Sequence, residues 1–101
     1  MHKFVVLYGQ PESPEHFRKY YVETHVPLAA TLPGLRAYRY AFDVMEGRKP
    51  SKWFCVFEGE FDSAEAMGEA MSSEIGKAVN ADVPNYASGG ATVVHYTPNG
   101  G

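Results

Sequence analysis

The chain is short of several things, and each shortage narrows its class. It has one cysteine, Cys55, so no internal disulfide can form, which fits a reducing, cytoplasmic setting. Positive charge is scarce: 9 Lys and Arg stand against 12 Asp and Glu, a formal charge of −3, so nucleic acid is not an expected partner. No apolar run approaches the roughly 20 residues that span a bilayer, so no membrane association is expected. Met1-His2-Lys3 leads straight into Phe4–Tyr8, which leaves no room for the apolar region of a secretion signal. There is no P-loop, no G-x-G-x-x-G and no G-x-S-x-G elbow, so neither a nucleotide cofactor nor a serine triad is expected. The histidines His2, His16, His25 and His95 are scattered and form no ligand-spaced cluster, so no metal is expected either.

What is present is an ordinary globular composition with an aromatic surplus. At 101 residues and 45% apolar content the chain suits one domain with one core. Seven tyrosines and six phenylalanines point to an aromatic interior or pocket wall. Phe4 to Tyr8 is a continuous apolar run that stops at Gly9-Gln10-Pro11, the pattern of a buried strand. Ser13-Pro14-Glu15 supplies an N-cap, a proline in the first turn and an early acid, so a helix starts there. Its apolar stripe is Phe17, Tyr21, Thr24, Leu28 and Leu32, with Tyr20 and His25 on the flanks; His25 lies roughly 70° from the stripe centre. Pro27 removes a backbone donor and collides with the carbonyl of Glu23, so the helix must kink or restart.

Leu32-Pro33-Gly34-Leu35 predicts a turn, and Arg36 to Val44 alternates with Tyr38, Tyr40 and Phe42 on one face. A charged loop, 46–50, precedes the strand at Trp53–Phe57, which reads as apolar on both faces. Asp62 with Glu65 resembles a capping box for a second helix, interrupted at Ser72-Ser73 and ended by Pro84-Asn85. Ala91 to Tyr96 is the last strand. The order βαββαβ predicts an α+β, ferredoxin-like unit with a four-stranded antiparallel sheet: one domain over 1–97 and a loose tail at 98–101. Two helices cover one face of such a sheet. The other face would stay exposed and apolar, so a second copy packed sheet to sheet is expected, giving a homodimer.

His25 heads the chemical candidates. It can be a core-edge ring bonded to a backbone carbonyl, or a general acid–base whose titration falls near working pH. On the second reading, carbonyls freed near Thr24 by the Pro27 break hold one ring nitrogen while the other faces a ligand. Tyr20, Tyr21, Tyr38 and Tyr40 could project between helix and sheet, and a phenol there can polarise a carbonyl. Tyr40, mid-strand, is the choice for that catalytic role. Trp53 and Cys55, on one face of the third strand, complete the candidate ligand-binding set, although filling a core is the commoner task of both.

The segments Tyr20-Tyr21-x-Glu23-Thr24-His25-x-Pro27-Leu28, Leu32-Pro33-Gly34-Leu35 with Tyr38, Phe61-Asp62-Ser63 and Ala81-Asp82-Val83-Pro84-Asn85-Tyr86 together resemble the EthD family over nearly the whole chain. The resemblance implies the dimeric α+β barrel fold. Relatives on that fold include muconolactone isomerases, polyketide cyclases and cofactor-independent monooxygenases acting on aromatic polyketides. By the same resemblance a helix histidine maps onto His25 and a strand tyrosine onto Tyr40. Three functions are implied: cofactor-free proton transfer on an aromatic or lactone-type ligand, cofactor-independent oxygenation, or ligand binding as a non-enzymatic accessory to an oxygenase system. A small organic ligand is the expected partner in each.

Overall fold

The computed structural model of the chain describes residues 1–100; Gly101, the end of the expected loose tail, lies outside the described residues. In chain order the elements are strand β1 (His2–Gly9), helix α1 (Pro14–Tyr20), a π-helical turn (Tyr21–His25), helix α2 (Val26–Ala29) and strand β2 (Ala37–Phe42). A small hairpin of β3 (Met45–Glu46) and β4 (Lys49–Pro50) follows, then strand β5 (Trp53–Phe61). Helices α3 (Ala64–Ser72) and α4 (Glu74–Asp82), a 3₁₀ turn (Val83–Asn85) and strand β6 (Ala91–Tyr96) complete the chain. The main sheet runs β2-β5-β1-β6 with antiparallel neighbours throughout, which is the expected α+β, ferredoxin-like arrangement.

Local chemistry accounts for most boundaries. Ser13 caps α1, its hydroxyl accepting from the His16 N–H at 3.3 Å, and Pro14 opens the helix. The second helix is capped one residue later than expected. Ser63 accepts from the Ala66 N–H at 3.1 Å, while both oxygens of Asp62 are taken by Arg36 at 3.1 and 2.8 Å. Ser73 ends α3 and caps α4 through the Gly76 N–H at 3.1 Å. This junction requires glycine: a Cβ on Gly76 would lie 2.4 Å from the Ala70 carbonyl oxygen. In the 32–35 turn Gly34 takes φ +79°, as the sequence predicts.

Strand register decides which face is covered. Phe4, Val6 and Tyr8 of β1 pair with Gly59, Phe57 and Cys55 of β5, which pair in turn with Tyr38, Tyr40 and Phe42 of β2. The helices lie on this face: Phe17 and Tyr21 are fully buried, their rings 5.3 and 5.4 Å from Tyr8. A register shift where Gly9 pairs with Trp53 inserts Phe54 as an extra residue in β5. Phe54 and Cys55 are both buried, Phe54 against Phe17 at 4.9 Å, and Trp53 is displaced from the face the alternation assigned it with Cys55.

The opposite face carries no helix. Its middle is apolar, with Val5, Leu7, Val56 and Val94, but β5 is not apolar on both sides as expected. The strand continues past Phe57, and Glu58 and Glu60 alternate onto this face. Lys3 meets Glu60 at 3.3 Å, and Arg39 meets Glu60 at 2.6 Å and Glu58 at 3.6 Å. The open face is therefore an apolar field with a charged end.

Candidate functional site

The site begins with a defect in the first helix. In an α-helix the carbonyl of Glu23 would meet the ring of Pro27. The chain answers upstream with a π-turn, in which the Val26 N–H donates to the Tyr21 carbonyl five residues back. One additional residue in that turn resets the phase of everything after it. Thr24, expected on the apolar stripe, is exposed, whereas His25, Val26 and Ala29 are buried. His25 thus moves from the flank of the stripe to its centre, its ring nearly parallel to Tyr21 at 5.4 Å and 4.5 Å from Tyr86.

The group that orients His25 comes from elsewhere in the chain. Its Nδ1 lies 2.8 Å from Oδ2 of Asp82, at the end of α4, so the expected freed carbonyl near Thr24 is replaced by a carboxylate. The other oxygen of Asp82 accepts from the Tyr20 hydroxyl at 2.5 Å and from the Asn85 amide at 2.9 Å. Burial lowers the His25 imidazole below its ordinary value, and the bond to Asp82 offsets only part of that. Burial works to raise the Asp82 carboxyl, but donors from Tyr20, His25 and Asn85 outweigh it and hold it below the usual range. The stable neutral tautomer therefore keeps its proton on Nδ1, facing Asp82, and a lone pair on Nε2. Nε2 has no hydrogen-bond partner among the described residues.

His25 lines a cavity of about 240 Å³ between the sheet and the helices. Phe4, Val6 and Tyr8 of β1, Phe57 of β5 and Val93 of β6 supply one wall. Tyr21, Ala29 and Leu32 extend it beside His25, and Met71, Val79, Asn80 and Val83 close the other side. Tyr21 also carries the one buried side-chain polar atom without a partner among the described residues, its hydroxyl. Burial pushes the pKa of that phenol far above its ordinary value. Tyr8 and Tyr86 satisfy each other at 2.8 Å.

The remaining sequence candidates scatter. Tyr20 is half-buried and spends its hydroxyl on Asp82. Tyr40 packs edge-on against Tyr21 at 5.6 Å and is absent from the cavity lining. Tyr38 is exposed and stacks on Phe57 at 5.9 Å. Cys55 is buried beneath the aromatic cluster, and burial pushes its thiol up to about 12, leaving it an inert core residue. Trp53 lines a separate depression with Arg18, Asp43 and Met45. Nothing in the sequence pattern marks Asp82, Asn85 or Tyr86 as chemical candidates. Asp82 and Asn85 at i, i+3 on a helix end are unremarkable until the fold brings them to His25, 57 positions away.

The EthD domain matches residues 9–90. An uncharacterized 11.0 kDa protein in the thcB-thcC intergenic region of Rhodococcus erythropolis is 32% identical over 95 residues, covering 93% of this chain and 91% of that protein. The crystal structure of an EthD family protein from Bacillus halodurans superposes with TM-score 0.91 at 31% identity, over 98% of this chain and 99% of that one. Two more distant structures share the fold alone. A dimeric ferredoxin-like protein of unknown function from Thermobifida fusca gives TM-score 0.73 at 13% identity, over 96% and 90% of the two chains. SnoaB, a cofactor-independent oxygenase from Streptomyces nogalater, gives TM-score 0.70 at 12% identity, over 99% and 94%.

Proposed function

We propose that this chain, which belongs to the EthD family, binds a small organic carbonyl compound beside His25 and moves a proton on it, in the manner of a cofactor-independent isomerase or cyclase. One observation carries the reading: Nδ1 is fixed by a carboxylate that is itself held by two donors, while Nε2 meets an apolar cavity with its lone pair free. A ring held in one tautomer, neutral near pH 7, is a general base. Nε2 takes a proton from carbon next to the carbonyl; the C–H bond breaks, an N–H bond forms, and the electron pair moves onto the carbonyl oxygen. Asp82 stabilises the imidazolium so formed, which then returns the proton to a different carbon or the opposite face. Tyr40 is absent from the cavity lining and the Tyr21 hydroxyl is sealed within the core, so neither phenol has a part in this reading.

The experiment is hydrogen–deuterium exchange at carbon, followed by NMR in D₂O with a panel of carbonyl compounds. The wild-type protein should accelerate exchange and His25→Ala should not; equal acceleration by both would overturn the role given to His25. A second reading shares the first step. SnoaB is an oxygenase of similar fold, and an enolate made at His25 could react with oxygen, so oxygen consumption in step with substrate loss would select that branch. Retained binding without any turnover would leave the accessory, ligand-binding role. We also propose a homodimer built through the open sheet face, with the T. fusca protein as a dimeric example of the fold. No helix among the described residues is long and apolar enough to cross a membrane, and a lone buried thiol suits the reducing cytoplasm.

A further inference from the structure

The cavity wall has a composition that limits its ligand. Its lining contains no Lys, Arg, Asp or Glu; its polar residues are His25, Tyr8, Tyr21 and Asn80, of which Tyr8 is already bonded to Tyr86 and the Tyr21 hydroxyl is sealed in the core. An anion placed there would lose its hydration without gaining a cation. The nearest charge is the wrong one, since Asp82 stands directly behind His25 with its carboxyl held in the ionised form. Protonating His25 gives no rescue, because the imidazolium and Asp82 then cancel. Size sets the second limit. A dry apolar cavity of about 150 Å³ holds one benzene ring. By that proportion the cavity, about 240 Å³ and open to solvent beside the half-exposed Val93, encloses roughly ten heavy atoms, one ring with a short side chain, and anything longer leaves apolar surface in water. A three-ring anthrone has half as many again.

We propose that the ligand is a neutral, single-ring carbonyl compound, with its ring against the aromatic wall of Phe4, Phe57 and Tyr21 and its acidic carbon at His25 Nε2. The proposal rests on the reading of His25 as a proton-transferring group, and it narrows that reading to a ligand class. Carboxylated lactones and polycyclic ketones fall outside it.

Phenylacetone and phenylacetate separate the charge question cleanly, because they are close in size and differ in charge; anthrone tests size. Binding is measured by calorimetry and by the ring signals of His25, and exchange of the benzylic protons of phenylacetone is followed in D₂O. Phenylacetone should bind saturably at millimolar concentration, about tenfold or more tightly than phenylacetate, and anthrone should not compete with it. Val93→Phe, at a wall position that is 50% exposed and so outside the packed core, should remove phenylacetone binding while leaving the fold intact. Tighter binding of phenylacetate, competition by anthrone, no saturable binding of phenylacetone, or unchanged binding in Val93→Phe would each overturn the ligand class. Binding in the expected order without benzylic exchange would uphold the ligand class and overturn proton transfer, so the two failures are distinct.

Discussion

At the scale of the residue, the proposed proton transfer gives His25 and Asp82 unequal parts. His25→Asn should cut exchange on a bound ketone by about 10²–10⁴-fold, the usual loss of a general base, with little change in ligand affinity. Asp82→Asn should act through the ring. Asp82 raises the imidazole pKa against the stronger lowering by burial, so its removal lowers that pKa further. The acid limb of the rate profile should therefore move to lower pH as the rate falls, and a profile that stays in place would deny Asp82 its role. Tyr21→Phe deletes a buried hydroxyl that has no partner, so stability to urea should hold or rise. His25 was legible in the sequence because it broke a local rule beside Pro27. Asp82 was not, since a carboxylate at a helix end is ordinary and its meaning lies in a contact across 57 positions. The sequence favours Tyr40 over Tyr21 because it lies mid-strand, but both lie on inward faces, and it is packing that leaves Tyr21 fully buried and Tyr40 half-buried.

At the scale of the element, the π-turn separates chain identity from chain length. Thr24 is exposed, so Thr24→Ala should change stability by no more than about 0.5 kcal/mol. Deleting Thr24 takes out the additional residue of the turn and rotates either Tyr21 or Val26 out of the core. That should cost about 3 kcal/mol or more and break the His25–Asp82 bond, read as loss of the downfield Nδ1 proton signal. Pro27 predicts the break in the helix but not its form. A 3.6-residue period read through the break placed Thr24 inside, and the widened turn placed it outside. The second helix shows a milder case. The cap moved from Asp62 to Ser63 because Arg36, distant in sequence, claims both oxygens of Asp62. Gly76→Ala at the α3–α4 junction should be destabilising by about 1–3 kcal/mol, since the neighbour to be displaced is backbone.

At the scale of the molecule, the fold was nearly all written in the alternation of apolar residues, and the error in it, a two-sided apolar β5, came from stopping the strand at Phe57. The same buried pair that serves the site also shapes the response to acid. The His25 value in the fold lies below its ordinary 6.5, so the unfolded chain takes up that proton first and stability falls as pH drops below that point. Asp82 adds a loss in the same direction as pH falls below its ordinary 3.8 and through its depressed folded value. Urea midpoints should decline between neutral and mildly acid pH in the wild type and decline less in His25→Asn. Sedimentation should find a dimer that Leu7→Lys or Val56→Glu turns into a monomer. In the proposed dimer the network of Lys3, Arg39, Glu58 and Glu60 would work like the stop on a sliding drawer. Ions cannot be pressed against a neighbour's valines, so the two sheets can overlap only until each charged end clears the other's rim. In such a dimer the apolar field would hold the copies together, and the charged end would decide how far they slide.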